Sequence, residues 1–264
     1  MRLDKTYTRS QIHQRWEAIY RGNPRLDHLN DLIMDRIIAC IQPPPGAKVL
    51  DAGCGIGDHT ARMARNGYDC VGIDISPTIL QKADEKIRAL GLSSSVHFVC
   101  QALEDMSLNG DLFDVVHCRG VLMHIPDWKA ALKSLCTALK PGGHIVVLEN
   151  NVKAPYSRAY LSVRRLFRNR VASQLIDTPG GKELWTDENG TPFVVRIANI
   201  GALTAALREF KVEPIHRFST SLVGVEQLPA GWLRDAAILV NTAACSFRIP
   251  PALCKGNAVI GRKL

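Results

Sequence analysis

Val-Leu-Asp-Ala-Gly-Cys-Gly-Ile-Gly-Asp-His-Thr occupies residues 49–60, and Asp74 ends the next apolar run. The apolar start is typical of a buried strand, and the three glycines stand directly before a helical pattern. Glycine suits places where the backbone turns sharply or approaches a ligand closely, because it has no Cβ to collide. A carboxylate about twenty residues beyond such a loop can accept both hydroxyls of a ribose. The stretch therefore predicts a site for an adenosine-containing cofactor at the carboxyl ends of a parallel sheet.

Strand and helix patterns alternate from residue 48 to about residue 150. Such alternation predicts an α/β fold, with a mostly parallel sheet and helices on both of its faces. The predicted strands are Lys48–Ala52, Cys70–Ile75, Val96–Cys100, Asp114–Cys118 and His144–Glu149, and the predicted helices include Asp58–Arg65 and Trp128–Leu139.

The main alternative for the loop is a nicotinamide-dinucleotide fold. Its fingerprint is Gly-x-Gly-x-x-Gly, in which the third glycine lets helix and strand pack closely. Residues 53–57 read Gly-x-Gly-x-Gly instead, and Asp58 follows them. An acid at the exit of the loop would repel the pyrophosphate that a helix N-terminus otherwise attracts. The spacing therefore argues against a dinucleotide.

Four segments resemble the class I S-adenosylmethionine-dependent methyltransferases: Asp51–Gly57, Val71–Ser76, Phe113–Ile125 and Leu139–Ile145. The resemblance implies a Rossmann-like, doubly wound sheet of seven strands. The last two would form an antiparallel C-terminal hairpin, for which Ile215–Val223 and Ala258–Arg262 are the candidates. It further implies a methyltransferase that uses S-adenosyl-L-methionine and is similar to enzymes acting on quinones, secondary metabolites or glycolipid sugars.

The resemblance also implies which residues bind this cofactor. Asp51 and Gly53 would lie beneath the amino-acid moiety, Asp74 would take the ribose, and Ile75 would pack on the adenine. The full set of expected cofactor residues is Asp51, Gly53, Cys54, Gly55, Asp74, Ile75, Ala102, Leu103 and Cys118.

The adenine edge departs from the family pattern. Related enzymes often carry an aspartate after the third strand, and this chain has Ala102 at that place. Leu103 could still offer its backbone amide to the ring. Glu104 or Asp105 could substitute with a shift of one residue, and the sequence leaves these alternatives open.

Four regions follow from the patterning: an N-terminal helical cap over 1–46, a cofactor-binding core over 47–150, an insertion over 151–198, and a C-terminal completion of the sheet over 199–264. The last region carries a helical insertion near 229–244. About fifty residues without a clear core element are too many for a plain loop in a compact domain. The 151–198 insertion is therefore predicted to be helical and to form the roof of the acceptor site.

Methyl transfer needs a base only when the acceptor must lose a proton, as a hydroxyl must. His124 follows the fourth strand and is the candidate base, although it could equally orient its loop. Glu149 and Asn150 end the fifth strand, where they would contact the acceptor or serve only as turn residues. Trp16 and Tyr20 could form a lid over the cofactor, or a buried aromatic helix face. O-methylation of a small molecule is the preferred reaction.

The arginine-rich stretch 156–171 lies in the insertion and contains no acid. Tyr156 and Arg158 are the candidates there for contact with the acceptor. Three interpretations remain open: a solvated helix face, a contact with an anionic membrane surface that reaches a lipid-linked acceptor, or binding of an acidic group on the acceptor. Nucleic acid is disfavoured because the arginines are confined to one helix.

Composition places the chain among globular proteins with a net charge of +8. No apolar stretch has the ~20 residues of a membrane span, and the N-terminus lacks a signal-peptide pattern. The eight cysteines include no Cys-x-x-Cys pair, so neither a metal site nor a disulfide scaffold is expected, and the cytoplasm is the expected location. An RNA or protein methyltransferase remains an alternative, as does a cofactor-binding protein without transferase activity.

Overall fold

The computed structural model of the chain describes residues 4–20, 22–107, 110, 112–166, 173–187 and 192–264. The strands are β1 Lys48–Ala52, β2 Asp69–Asp74, β3 Val96–Cys100, β4 Phe113–Arg119, β5 Leu139–Asn150, β6 Ser173–Thr178, β7 Gly181–Asp187, β8 Pro192–Ala198, β9 Val212–Ser221 and β10 Gly256–Lys263. The helices are α1 Asp4–Tyr7, α2 Ser10–Tyr20, α3 Pro24–Ile41, α4 Asp58–Arg65, α5 Pro77–Ala89, α6 Trp128–Thr137, α7 Pro155–Leu166, α8 Ile200–Glu209 and α9 Trp232–Ser246.

Seven strands form the main sheet in the order β3-β2-β1-β4-β5-β10-β9. The first five pair in parallel, whereas β10 runs antiparallel to both β5 and β9. This confirms the predicted doubly wound sheet with its antiparallel C-terminal hairpin. The carboxyl ends of the parallel strands therefore meet at one edge, where the end of β9 and the start of β10 also lie.

Helices cover both faces of the sheet. Successive residues of a central strand are consequently buried, as Val49 and Leu50 of β1 are, which is the pattern of a strand enclosed on two sides. One core cluster joins the sheet to α3, α4 and α9, and the other joins it to α6 and α8. This double cover leaves the strand ends as the open place for a ligand.

The insertion after β5 contains the predicted helix, α7, but a second element follows it that the sequence did not reveal. Strands β6, β7 and β8 form a separate antiparallel sheet in that order. Glu183 in β7 and Arg196 in β8 are buried charged residues. Charged residues such as glutamate are depleted in β-strands. The two charges pair with each other inside the sheet, and their presence hid the strand pattern in the sequence. The second insertion, predicted near 229–244, is the helix α9.

Candidate functional site

A cavity of about 840 Å³ lies over the strand ends of the main sheet. Its floor includes the glycine loop after β1 and the ends of β2, β4 and β5. Its roof comes from the N-terminal helices, from α7, and from the β7–β8 hairpin. One continuous cavity thus joins the expected cofactor residues to the insertion.

The glycine loop adopts the backbone conformation that its sequence predicts. Gly53, Gly55 and Gly57 have φ angles of 69°, 54° and 74°, in the left-handed region that side chains rarely adopt. A Cβ on Gly53 would overlap the side chain of Val121, whereas one on Gly55 would have no neighbour within 4 Å. Gly53, Cys54 and Gly55 all line the cavity. The loop therefore brings bare backbone close to the cofactor space.

Asp74 lines the cavity at the end of β2, as expected. Its Oδ2 accepts a hydrogen bond of 3.0 Å from the amide of Gly55, and its Oδ1 accepts one of 3.0 Å from the amide of Ser76. Burial raises the pKa of Asp74 although both bonds oppose that rise. The carboxylate thus holds the glycine loop and keeps lone pairs for further donors.

Two of the expected cofactor residues, Asp51 and Cys118, do not line the cavity. Asp51 is only 2% exposed, and its carboxylate accepts hydrogen bonds from Thr60 Oγ1 at 2.6 Å and from His117 Nδ1 at 2.8 Å. It lies beneath the loop and fastens α4 to β1 and β4. The side chain of Cys118 is fully buried, and its neighbour Arg119 faces the cavity instead.

The adenine side of the cavity is formed by Ile75, Ala102 and Leu103, all three as expected. Glu104 also lines the cavity, whereas Asp105 is exposed and lies outside it. The geometry therefore leaves Leu103 and Glu104 as the groups able to reach the adenine edge.

His124 lines the cavity from a short 3-10 turn after β4. Its Nδ1 donates a hydrogen bond of 2.9 Å to the carbonyl of Val194 in β8, so Nε2 is left as an acceptor in the neutral ring. Burial, and after it the charge of Arg196, lower the pKa of His124 to about 4. The imidazole is therefore neutral near pH 7.

Glu149 and Asn150 line the cavity at the end of β5, as expected. Glu149 Oε1 accepts a hydrogen bond of 3.2 Å from the amide of Met123, while its buried Oε2 has no partner among the described residues. Burial raises the pKa of Glu149 to about 7, against the opposing effects of Met123 and Arg196. Asn150 Nδ2 contacts Met123 Sδ at 3.8 Å.

Arg196 of β8 is a functional residue that sequence reasoning missed. It is buried, and its Nε and Nη2 both donate to Glu183 Oε1, at 3.0 and 2.7 Å. The remaining donors reach the carbonyls of Leu122 at 2.8 Å and of Ile125 and Pro126 at 3.0 Å. One side chain therefore fastens the inserted sheet to the turn that carries His124.

The inner face of α7 lines the cavity, but Arg158 is not part of it. Tyr156, Ser157, Tyr160 and Arg164 face the cavity, whereas Arg158 is exposed to solvent. Residues four apart share a helix face, and Arg158 lies two residues from both Tyr156 and Tyr160. Spacing would therefore have identified Arg164 as the inward arginine. Arg168 and Arg170, also of the arginine-rich stretch, lie outside the described residues.

The N-terminal helices contribute an aromatic cover. Trp16 and Tyr7 line the cavity, and their ring centroids lie 5.4 and 5.3 Å from that of His124. Phe193 of β8 completes this group at 5.4 Å from His124. Trp16 thus occupies the place of the predicted lid, while the side chain of Tyr20 is outside the described part of the chain.

Among the described residues, no group of three or more His, Cys, Asp or Glu side chains could hold a metal ion. No helix within the same ranges is long and apolar enough to cross a membrane.

Comparison with known families gives a match for residues 44–188, which fit the model of a methyltransferase domain. Two characterised relatives from Vibrio match over 157 residues. The ubiquinone/menaquinone biosynthesis C-methyltransferase of Vibrio parahaemolyticus is 34% identical, covering 54% of this chain and 61% of the relative. The ubiquinone biosynthesis O-methyltransferase of Vibrio vulnificus is 30% identical, covering 58% and 66%. The chain thus spans less than two thirds of either relative.

Among solved structures, the chain is similar to magnesium protoporphyrin IX methyltransferase from Synechocystis, a crystal structure with bound SAH. The TM-score is 0.64 at 16% identity, and the match covers 98% of this chain and 97% of the other. At this identity the likeness concerns the fold, and it extends over the insertion and the C-terminal region.

Proposed function

This chain belongs to the family of methyltransferase domains, and we propose that it transfers a methyl group from S-adenosyl-L-methionine to a small molecule. One observation carries the proposal: a single cavity runs from the glycine loop and Asp74 to His124 and on beneath α7. Donor and acceptor can therefore lie in one continuous cavity. A roofed cavity of this kind fits a small molecule better than a folded RNA or protein.

Several residues in the cofactor half of the cavity suit the donor. Gly55 offers backbone that no side chain covers, and the first helical turn of α4 behind it has no side-chain cap. The free backbone amides of this helix end can donate hydrogen bonds to the cofactor, while Asp74 accepts from ribose hydroxyls. S-adenosyl-L-methionine, when bound, supplies an electrophilic methyl group with a neutral leaving group.

In the acceptor half, the chain's main task is orientation, which can supply about 7–11 kcal/mol of the barrier. We propose that Nε2 of His124 accepts a hydrogen bond from an acceptor hydroxyl and aligns its oxygen. A group with a pKa of about 4 does not retain a proton near pH 7, so His124 orients the hydroxyl, and the proton that the hydroxyl loses on methyl transfer passes to water. O-methylation fits this role, and the names of the two relatives include both O- and C-transfer.

An acidic group on the acceptor would be recognised by Arg164. It faces the cavity, and its partners among the described residues are neutral: Tyr160 Oη at 2.8 Å and Ser173 Oγ at 2.6 Å. Arginine offers five donors in a planar fork, which suits a carboxylate or phosphate. Arg164→Met should weaken the binding of an acidic acceptor and leave the binding of a neutral one unchanged. Arg158→Met, at an exposed position of the same helix, is the control and should change neither.

A peripheral membrane contact is the second part of this proposal. The outward face of α9 carries Trp232 and Phe247, which are 76% and 81% exposed, with Leu239 and Val240 between them. Two copies meeting here would each carry the net charge of +8, whereas an anionic lipid surface complements it. Leu239→Asp should abolish flotation with phosphatidylglycerol vesicles. Unchanged flotation of the variant, or a dimer formed through this face, would contradict the proposed membrane contact. The cytoplasmic location stays a prediction.

Calorimetric titration with S-adenosylhomocysteine tests the cofactor site. Asp74→Ala removes a charged acceptor of two hydroxyl bonds, worth about 3 kcal/mol together, so affinity should fall roughly a hundredfold. Asp69→Ala, at the exposed opposite end of β2, is the matched control and should bind as the wild type does. Equal affinities for all three proteins would remove the ribose assignment.

A further inference from the structure

The cavity has a second polar region, away from the cofactor residues, between the ends of β9 and β10. We call it the polar end; it consists of Tyr156, Thr220, Ser221, Glu226, Gln227 and Lys255, all of which line the cavity. Tyr156 is expected from the sequence to contact the acceptor, whereas the other five residues lie beyond the family match, which ends at residue 188, and have no role assigned by the sequence.

An ion pair forms the centre of the polar end. Lys255 Nζ lies 2.7 and 2.8 Å from the two carboxylate oxygens of Glu226, and Lys255 is only 8% exposed. The lysine holds the pKa of Glu226 below its usual range despite burial, so the carboxyl group of this ion pair is ionised near pH 7. The pair is neutral as a whole, because each charge cancels the other.

Further polar atoms converge around this pair. Gln227 Oε1, Tyr156 Oη and Glu226 Oε2 lie 2.7, 2.8 and 2.9 Å from the point where a Cβ of Gly224 would be. A Cβ at position 224 would displace these three oxygens from their present places. The ends of β9 and β10 thus present a compact group of hydrogen-bonding atoms.

Two hydroxyls of this group are available to a ligand. Thr220 Oγ1 and Ser221 Oγ both stand beside Gly256, where a Cβ would overlap them. Neither has a hydrogen-bond partner in the described ranges of the chain, and both residues line the cavity. Each hydroxyl can donate one hydrogen bond and accept others.

The distance between His124 and the polar end determines how long an acceptor must be to reach both. Asn150, Gly256 and Ser221 stand side by side on β5, β10 and β9, and β4 is the next strand beyond β5. Neighbouring strands lie about 4.8 Å apart, so the end of β9 is roughly 14 Å from the end of β4. A molecule with its reacting atom beside His124 would need about this length to fill the polar end.

We infer that the polar end binds a neutral, hydroxyl-rich group, such as a sugar ring, at the far end of an elongated acceptor. The inference rests on the proposed function, since it extends the acceptor half of the same cavity. An anionic group would meet the Glu226 carboxylate and a cationic group the Lys255 ammonium. Hydroxyls can donate to Glu226 and Gln227 and accept from Lys255, Thr220 and Ser221. Arg164 does not disturb this balance, because it lies eight residues along α7 from Tyr156, about 12 Å away.

Three matched probes test the inference on protein saturated with S-adenosylhomocysteine. They are the 4-nitrophenyl glycosides of glucose, glucuronic acid and glucosamine, which share the aryl group and differ in charge. The glucoside should bind at least tenfold more tightly than either charged probe. The inference would be overturned if the glucuronide or the glucosaminide bound with the same affinity as the glucoside, or if none of the three probes bound. Failure to bind S-adenosylhomocysteine would instead overturn the proposed function.

Charge variants then locate the selectivity. Glu226→Gln leaves the lysine unpaired, so the glucuronide should gain about tenfold relative to the glucoside. Lys255→Met leaves the glutamate unpaired, and the glucosaminide should gain instead. The exposed pair of Lys129 and Glu209 supplies the control Glu209→Gln, which should change no ranking. Where a single variant does not fold, the double variant Glu226→Gln/Lys255→Met replaces it, because it leaves neither charge of the pair behind. The double variant should keep the preference for the glucoside. Loss of that preference, or single variants in which the order of affinities does not change, would contradict the assignment.

Discussion

Glu149 gives the sharpest test of the site's electrostatics, through the substitution Glu149→Gln. The glutamate is buried at the cavity floor, where Oε1 accepts from the Met123 amide and Oε2 has no partner among the described residues. A glutamine keeps the shape and the accepted hydrogen bond, because its carbonyl oxygen can take the place of Oε1. It removes the charge and its titration.

The magnitude follows from the pKa of Glu149, which burial raises from 4.5 to about 7. A raised pKa means that the folded protein holds the proton more tightly than the unfolded chain does. The resulting stability is fully present below pH 4.5 and is lost as the pH rises through 7. A difference of about 2.5 in pKa corresponds to about 3 kcal/mol. At pH 8 the Glu149→Gln protein should therefore exceed the wild type in free energy of unfolding by about that amount, relative to their difference at pH 4.5.

Urea unfolding of both proteins at several pH values between 4.5 and 8 measures this difference. Other titrating groups, such as His124, cancel because they are common to both proteins. Glu209→Gln, an exposed glutamate of an ion pair on the surface, is the control and should show no comparable trend. A difference between wild type and Glu149→Gln that stays constant with pH would refute the account of a buried, uncompensated carboxyl group.

Two further substitutions test the scaffold of the site. Arg196→Met should lower the free energy of unfolding, measured in urea, by about 3–5 kcal/mol, because it leaves the buried Glu183 carboxylate unpaired. A double variant that adds Glu183→Gln should recover part of this loss. If it recovers none, the unpaired carboxylate is not the cause. Gly53→Ala should weaken S-adenosylhomocysteine binding, since its Cβ would overlap Val121. Gly67→Ala, also at a positive φ but with nothing within 4 Å, should cost about 1–2 kcal/mol of stability without loss of affinity in calorimetry.

Local patterns were enough to predict the main sheet and the lining of the cavity by most of the residues expected to bind the cofactor. The glycines after β1 and the carboxylate of Asp74 are separated by one β1–α4–β2 unit. Because β1 and β2 are neighbouring parallel strands, their ends lie side by side, and Asp74 contacts Gly55. Ile75, Ala102 and Leu103 follow for the same reason, because each comes directly after a strand whose end faces the cavity. Asp51 was placed in the right region, but its role is to fasten α4 to the sheet.

The acceptor half could not be predicted in the same way, because its contacts join distant parts of the chain. Arg196 becomes meaningful only when β8 folds back over the turn of His124, about seventy residues away in sequence. Lys255 and Glu226 form a pair only after α9 has been inserted between β9 and β10. The choice between Arg158 and Arg164 is different, because the four-residue spacing of Tyr156, Tyr160 and Arg164 already indicates which arginine faces the cavity.

The most direct test of the central claim is the transfer of labelled methyl from S-adenosyl-L-methionine by the purified protein to fractionated cell extract. Small-molecule, lipid, RNA and protein fractions are counted separately, with Asp74→Ala as the control that lacks the cofactor site. The account predicts label in the small-molecule or lipid fraction with the wild type and none with the variant. Label in RNA or protein, or binding of the cofactor without label in any fraction, would contradict it.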